Sequence, residues 1–294
     1  MDFTLKKDKR KITKKVSEIK TNINRHGIVK GKEVTKVFEM KSTAEIKIVL
    51  SEIDSNVRVK LLINYSADKF YIFKAENKKL TSDIQDNELN SEEIASLLKS
   101  FYSNEKMQWD DCFLKNPKKM KYEMAPVVFE VKDNYLLNEN KYINVISLEH
   151  LGDFLNIKNI IENNDCWLVI DCYKVDREYI FNKLDEMKKD NMIEKKFSSF
   201  ISNKINDISY KLKEETIFQC EIKLLLYNPN LEQIRKENTT IKKNLLNNQY
   251  TAYTPQERIN TRRLFEKCIY PNRTMDVIHS IVNKDLYKMI GSDK

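Results

Sequence analysis

The chain has 294 residues, 41% hydrophobic and 33% charged, with 13 Phe and 14 Tyr. That apolar and aromatic content excludes a chain disordered throughout, and the length fits one large domain or two ordinary ones. Lys and Arg total 52 against 44 Asp and Glu, a net charge of +8.

The charge is unevenly spread. Residues 1–32 hold Lys6, Lys7, Lys9, Arg10, Lys11, Lys14, Lys15, Lys20, Arg25, Lys30 and Lys32 against Asp2, Asp8 and Glu18, so they carry the whole excess and residues 33–294 sum to zero. A local arm of this kind acts on phosphates or anionic lipid. No stretch reaches the roughly 18 apolar residues that would span a bilayer. The start also lacks an apolar segment after its charges, which excludes a secretory leader. The five cysteines form no C-x-x-C pair; they are expected as reduced core thiols of a cytoplasmic protein. Cys166 and Cys172 share one apolar run and should face the same side of a strand. With four glycines in all, the chain has no phosphate-cradling loop: Gly27 to Gly31 is too short, and Glu33 stands where a magnesium-holding hydroxyl belongs.

In chain order, residues 3–24 predict a basic amphipathic helix with Leu5, Ile12, Val16, Ile19 and Ile23 on one stripe and a stop at Asn24–Gly27. Its readings are a helix packed on its own domain, a membrane or protein-groove binder, or a nucleic-acid arm. Residues 34–75 predict strands, with Val57, Val59, Leu61 and Ile63 alternating and a turn at Ser66–Asp68. Residues 76–90 predict a loop, and Ser91 the cap of a helix bearing Ile94, Leu97, Leu98 and Phe101. Residues 103–122 are polar and irregular and mark a boundary. Beyond it lie a strand at Tyr142–Leu148, a short helix at Leu151–Ile161, a buried strand at Cys166–Tyr173, helix from Asp176 to about Glu214, a strand at Ile217–Tyr227 and a helix at Asn230–Asn247. No internal repeat is evident. The expected class is α+β, mixed sheets with packed helices. The expected units are the arm (1–32), a strand-rich sub-domain (33–120) and an α/β sub-domain (121–294).

Specific chemistry is sparse. Asp110, Asp111, Glu130 and Lys132 have the residue types of a metal-dependent nuclease of the PD-(D/E)xK type, although E-x-K recurs by chance in a lysine-rich chain. His26, His150 and His279 lack ligand spacing. Arg258, Arg262 and Arg263, near Tyr250 and Tyr253, are candidate nucleic-acid contacts; a solvated helix face is the plainer reading. No catalytic residue, metal ligand or cofactor is assigned.

The stretch Ala125-Pro126-Val-Val-Phe-Glu-Val-Lys-Asp-Asn-Tyr135-Leu-Leu-Asn-Glu-Asn-Lys141-Tyr142 resembles a segment in the N-terminal domain of VirB-class ATPases of conjugative type IV secretion. The order of elements after it, through Trp167–Cys172, Phe218–Leu226 and Arg273-Thr274-Met275-Asp276, is similar across residues 122–290. In that family a RecA-like motor follows, and its catalytic residues have no counterparts in these 294 positions. The resemblance implies a non-catalytic scaffolding or docking component of a conjugation-like apparatus of a mobile element. Its partners would be other proteins of the assembly and an anionic membrane surface, with a peripheral location at the inner face. The alternatives are a nucleic-acid-binding protein of a phage or plasmid, and the nuclease.

Overall fold

The computed structural model describes residues 21–24, 27–30, 33–75, 87–102, 108–116, 119–120, 123, 129–131, 135–138, 141–152, 157–161, 164–193, 215–253, 261–270 and 275–291. The chain runs β1 (Thr21–Asn24), β2 (Gly27–Lys30), β3 (Glu33–Met40), α1 (Thr43–Glu52), β4 (Arg58–Asn64), β5 (Lys69–Ala75), α2 (Ser91–Tyr102) and α3 (Cys112–Lys115). It continues through β6 (Phe129–Val131), β7 (Leu136–Asn138), β8 (Lys141–His150), α4 (Ile157–Ile161), β9 (Cys166–Lys174), α5 (Arg177–Ile193) and β10 (Ile217–Asn228). It closes with α6 (Leu231–Asn247), β11 (Thr251–Tyr253), α7 (Thr261–Ile269), β12 (His279–Val282) and α8 (Asn283–Met289). The fold is α+β.

All twelve described strands join one sheet in the order β1-β2-β3-β5-β4-β9-β10-β8-β7-β6, with β11 on β8 and β12 on β10. The described pairs are antiparallel throughout. The strands on either side of residue 120 therefore meet directly, through β4 and β9.

That strand order is a palindrome, and it exposes an internal repeat that residue identities hide. Ile23 pairs with Ile28, Ile28 with Thr35 and Val37 with Phe73. In the second half Val131 pairs with Leu136, Leu136 with Ile143 and Val145 with Leu225. The chain spacing from Ile23 to Ile28 to Val37 equals that from Val131 to Leu136 to Val145. Leu62 pairs with Tyr71 as Val169 pairs with Lys223. Leu62 and Val169 also pair with each other across β4 and β9, so a pseudo-two-fold axis passes between them. Each half is a three-stranded meander, a helix and a two-stranded return.

Both faces of the sheet are covered, which is why its central strands are apolar on both sides. In β9, Cys166, Leu168, Ile170 and Cys172 join one core with Ile46, Val49 and Leu50 of α1, Ile157 and Ile161 of α4, Ile234, Ile241 and Leu245 of α6 and Leu286 of α8. The two cysteines do share a side, as their spacing requires. Trp167 and Val169 face the other core, with Ile94, Leu98 and Phe101 of α2, Phe113 of α3 and Phe265, Cys268 and Ile269 of α7. A fully buried side chain of this kind contributes about 1.5–3 kcal/mol.

Three expectations need correction. Residues 21–24 and 27–30 are an antiparallel hairpin, not the end of a helix, and Ile23 and Ile28 are buried beneath α2. Gly27 opens β2 at φ +126°, where any Cβ would collide with the Thr35 carbonyl, so it serves a sheet and not a helix end. Thr43–Glu52, inside the stretch expected to be strands, is a helix. Its cap is a reciprocal box in which Ser42 Oγ accepts from Glu45 N (3.4 Å) and Glu45 Oε2 accepts from Lys41 N (2.8 Å). The cap of α2 is Asn90, not Ser91: Asn90 Oδ1 accepts from Glu92 N and Glu93 N, while Ser91 Oγ donates to Asn24 O and ties the helix to β1. Residues 1–20 lie outside the described residues.

Candidate functional site: a buried ionic face

On the α7 side, the middle of the sheet changes character. Lys60 of β4 stands opposite Asp171 of β9, and Asp171 opposite Glu221 of β10. These three positions form one row across the three central strands. Lys223 follows Glu221 by one strand period, on the same face. Lys60 and Asp171 are each 2% exposed, and Glu221 and Lys223 each 1%. Charges this deep persist only when paired.

Each buried lysine of this face has its own carboxylate. Lys60 Nζ lies 3.2 Å from Asp171 Oδ2, and Lys223 Nζ lies 2.6 Å from Glu221 Oε2. Lys267 of α7 pairs with Asp276. Arg58 approaches Asp171 more loosely, at 4.0 Å.

The row also fastens the element above it. Lys60 Nζ donates to the carbonyls of Lys267 and Cys268 (3.3 Å to the latter), at the C-terminal end of α7 where carbonyls lack helical partners. Glu221 Oε1 accepts from Asp276 N at 3.0 Å. The ionic face therefore holds the end of α7 and the start of the next segment onto the sheet.

Burial shapes the ionisation of each group. Desolvation pulls the Lys60 ammonium below its ordinary value, against the attraction of Asp171. Desolvation is also the largest influence on Lys223, but Glu221, Cys268 and Asp171 together outweigh it and the net shift is upward. Burial raises the Cys268 thiol to about 12, although Lys223 and Lys60 pull it down.

The repeat makes this face asymmetric. Trp167 is the counterpart of Lys60, and Tyr71 the counterpart of Lys223. Tyr71 and Trp167 stack with centroids 6.1 Å apart, and Phe101 of α2 lies 5.2 Å from Trp167. One half of the face is thus aromatic under α2, the other ionic under α7.

The residues singled out in sequence fall elsewhere. Lys6, Lys7, Lys9, Arg10, Lys11, Lys14, Lys15, Lys20 and Arg258 lie outside the described residues. Arg262 and Arg263 fall at the start of α7. Tyr250 and Tyr253 are buried in opposite cores, so neither is a base-stacking platform. Asp110 bonds Lys119 at 2.5 Å and accepts from Cys112 N; the Cys112 side chain first, then Lys119 and the Cys112 backbone, hold its carboxyl well below the usual range. Asp111 accepts from Trp109 Nε1. Glu130 sits on β6 at the end of the strand order, and Lys132 lies outside the described residues. His279 Nε2 contacts the Leu148 carbonyl at 3.1 Å, and burial lowers its pKa. Among the described residues no three His, Cys, Asp or Glu side chains converge to hold a metal ion. A hollow of about 450 Å³ beside Lys41, Thr43, Tyr65 and Lys158 adjoins the already capped end of α1.

The signal for the ionic face was in the sequence: Asp171, Glu221 and Lys223 interrupt otherwise apolar strands. No protein-family model matches the chain, and no curated protein matches it.

Proposed function

We propose that the protein is a docking component of a conjugation-like apparatus, held to an anionic surface by its basic N-terminal arm and without catalytic activity of its own. The observation that carries this reading is the partition of charge. Before Thr21 lie eight Lys and Arg against three acids, while residues 33–294 sum to zero. The buried ions of the body pair with one another and fasten α7. The resemblance of residues 122–290 to a secretion-ATPase domain supports the choice of apparatus.

Each Lys or Arg beside an anionic bilayer contributes about 1 kcal/mol, so the arm alone is enough to localise the chain. The test is deletion of residues 2–20, which spares β1 and its buried Ile23. The full chain should bind phosphatidylserine-containing vesicles and ignore neutral ones; the deletion should fold normally and bind neither. Equal vesicle binding by the two proteins would sink the reading. Preference for DNA over vesicles, with affinity falling steeply with salt, would transfer the arm to nucleic acid.

One observation favours a second reading, metal-assisted phosphodiester cleavage, at residues other than those expected. Asp171 opposite Glu221, with Lys223 two positions along, has the residue types and face of a D…E-x-K set. Ser147, registered opposite Lys223, has a buried hydroxyl with no hydrogen-bond partner among the described residues. A magnesium ion needs only one or two carboxylates plus water and phosphate oxygens. The burial and ion pairing of the set weigh against it. Magnesium-dependent cleavage of DNA or RNA that vanishes in Asp171→Asn would establish this reading; no cleavage by the wild type would end it.

A further inference from the structure

Cys172 and Cys220 stand directly opposite one another on β9 and β10. Both are fully buried and face the same core. Directly opposed residues of an antiparallel pair have Cα atoms about 4.5–5.5 Å apart, inside the roughly 4.4–6.8 Å span that a disulfide bridges. The register therefore brings the pair within the reach of a disulfide. Cys166, on the same face, is registered with Leu226 and has no such partner.

We propose that Cys172 and Cys220 are a cross-strand redox pair, set by the conditions under which the chain folds and then sealed by the core. The sealing follows from burial. Neither thiol is exposed, so the folded core shields both from an oxidant, and desolvation also pushes the Cys220 thiol up. While β9 and β10 are assembling, both thiols are open to solvent and are brought together by the register. With glutathione disulfide as oxidant, one cysteine thiolate attacks a glutathione sulfur and expels a glutathione thiolate, which takes up a proton. The second cysteine thiolate then attacks the mixed disulfide and expels the other glutathione. The protein gains one S–S bond and loses two S–H bonds; the reagent is reduced to two thiols. The bond would close a loop containing α5 and tie β9 to β10, the two strands that carry Asp171 and Glu221. Such a crosslink stabilises mainly by restricting the unfolded chain.

The test compares two routes to the same reagent. The full chain is unfolded and refolded in glutathione disulfide; a second sample is folded under reducing conditions and then exposed to the same concentration. The refolded sample should lose two free thiols and the mass of two hydrogens, and should melt several degrees higher. Its non-reduced peptide map should join the Cys172 and Cys220 peptides. The prefolded sample should keep the four buried thiols, Cys166, Cys172, Cys220 and Cys268. Cys112→Ser should behave as the wild type, and Cys220→Ser should lose the link. If Cys220→Ser does not fold, the wild-type peptide map decides alone. A link between other cysteines, or none, overturns the pair. Equal oxidation of the prefolded sample overturns the dependence on folding.

Discussion

Replacing Lys60 by Met tests whether the ionic face is what holds α7. At 3.2 Å from Asp171, an effective dielectric of about 20 gives an attraction of about 5 kcal/mol. Desolvation costs several kcal/mol for each ion and cancels most of that gain. The pair is therefore worth little in net terms, while breaking it is expensive. In Lys60→Met, Asp171 stays 2% exposed with Arg58 at 4.0 Å as its nearest cation. The expected loss is about 3–5 kcal/mol. The Lys267 and Cys268 carbonyls lose a donor at the same time, which puts the value toward the top of that range. Removing both charges, as Lys60→Met with Asp171→Leu, should recover most of the loss and leave the double variant within about 2 kcal/mol of wild type. Urea unfolding of the four proteins measures this directly, with the midpoint shift read at constant slope. A Lys60→Met loss below about 1 kcal/mol, or a double variant equal to the sum of the singles, would refute the argument.

Asn230→Ala should cost about 1 kcal/mol, because the Asn230 side chain caps α6 by accepting from Glu232 N and Gln233 N; helix content and urea midpoint report it. Gly27→Ala should destabilise by about 1–3 kcal/mol, since φ is +126° there and a Cβ would collide with the Thr35 carbonyl. Its melting point should fall while the binding of residues 1–20 to vesicles persists. Alkaline stability should decline from pH 9.0. Cys268 is raised from 9.0 to about 12 in the fold, so its contribution is complete below pH 9.0 and is lost as pH climbs through about 12. A thermal-melt series should show a flatter alkaline limb in Cys268→Ala.

The long apolar strands were legible in the sequence because burial on both faces leaves a mostly apolar run, interrupted at Asp171 in Cys166–Tyr173 and at Gln219, Glu221 and Lys223 in Ile217–Tyr227. The helix after Asn230 was legible from its cap. Thr43–Glu52 was not, because Ile46, Ile48 and Val49 carry strand preference and sit among strands; the Ser42–Glu45 box was the local signal that outweighed them. The hairpin at 21–30 was obscured by the basic stretch before it, whose apolar spacing ran on through Ile23 as if one helix continued. The repeat was invisible because the halves share which positions are apolar and few of the residues, as Ile28 against Leu136 and Phe73 against Leu225 illustrate. The ionic face escaped for a different reason. E-x-K recurs along this chain, and only strand register brings Glu221 opposite Asp171.

The palindromic strand order also governs how the chain assembles. Arg58 meets Tyr173, and Ile63 meets Leu168, across more than a hundred intervening residues. Every other pairing within the first five strands is available as soon as residue 75 has been made. On the ribosome that half would wait with β4 as an uncovered edge until β9 emerges. Contacts this distant in sequence carry a large closure entropy and slow the joining of the two halves. The seam at Leu62 and Val169 thus waits on β9, and a nascent chain stalled before residue 166 presents a template for pairing with its neighbours.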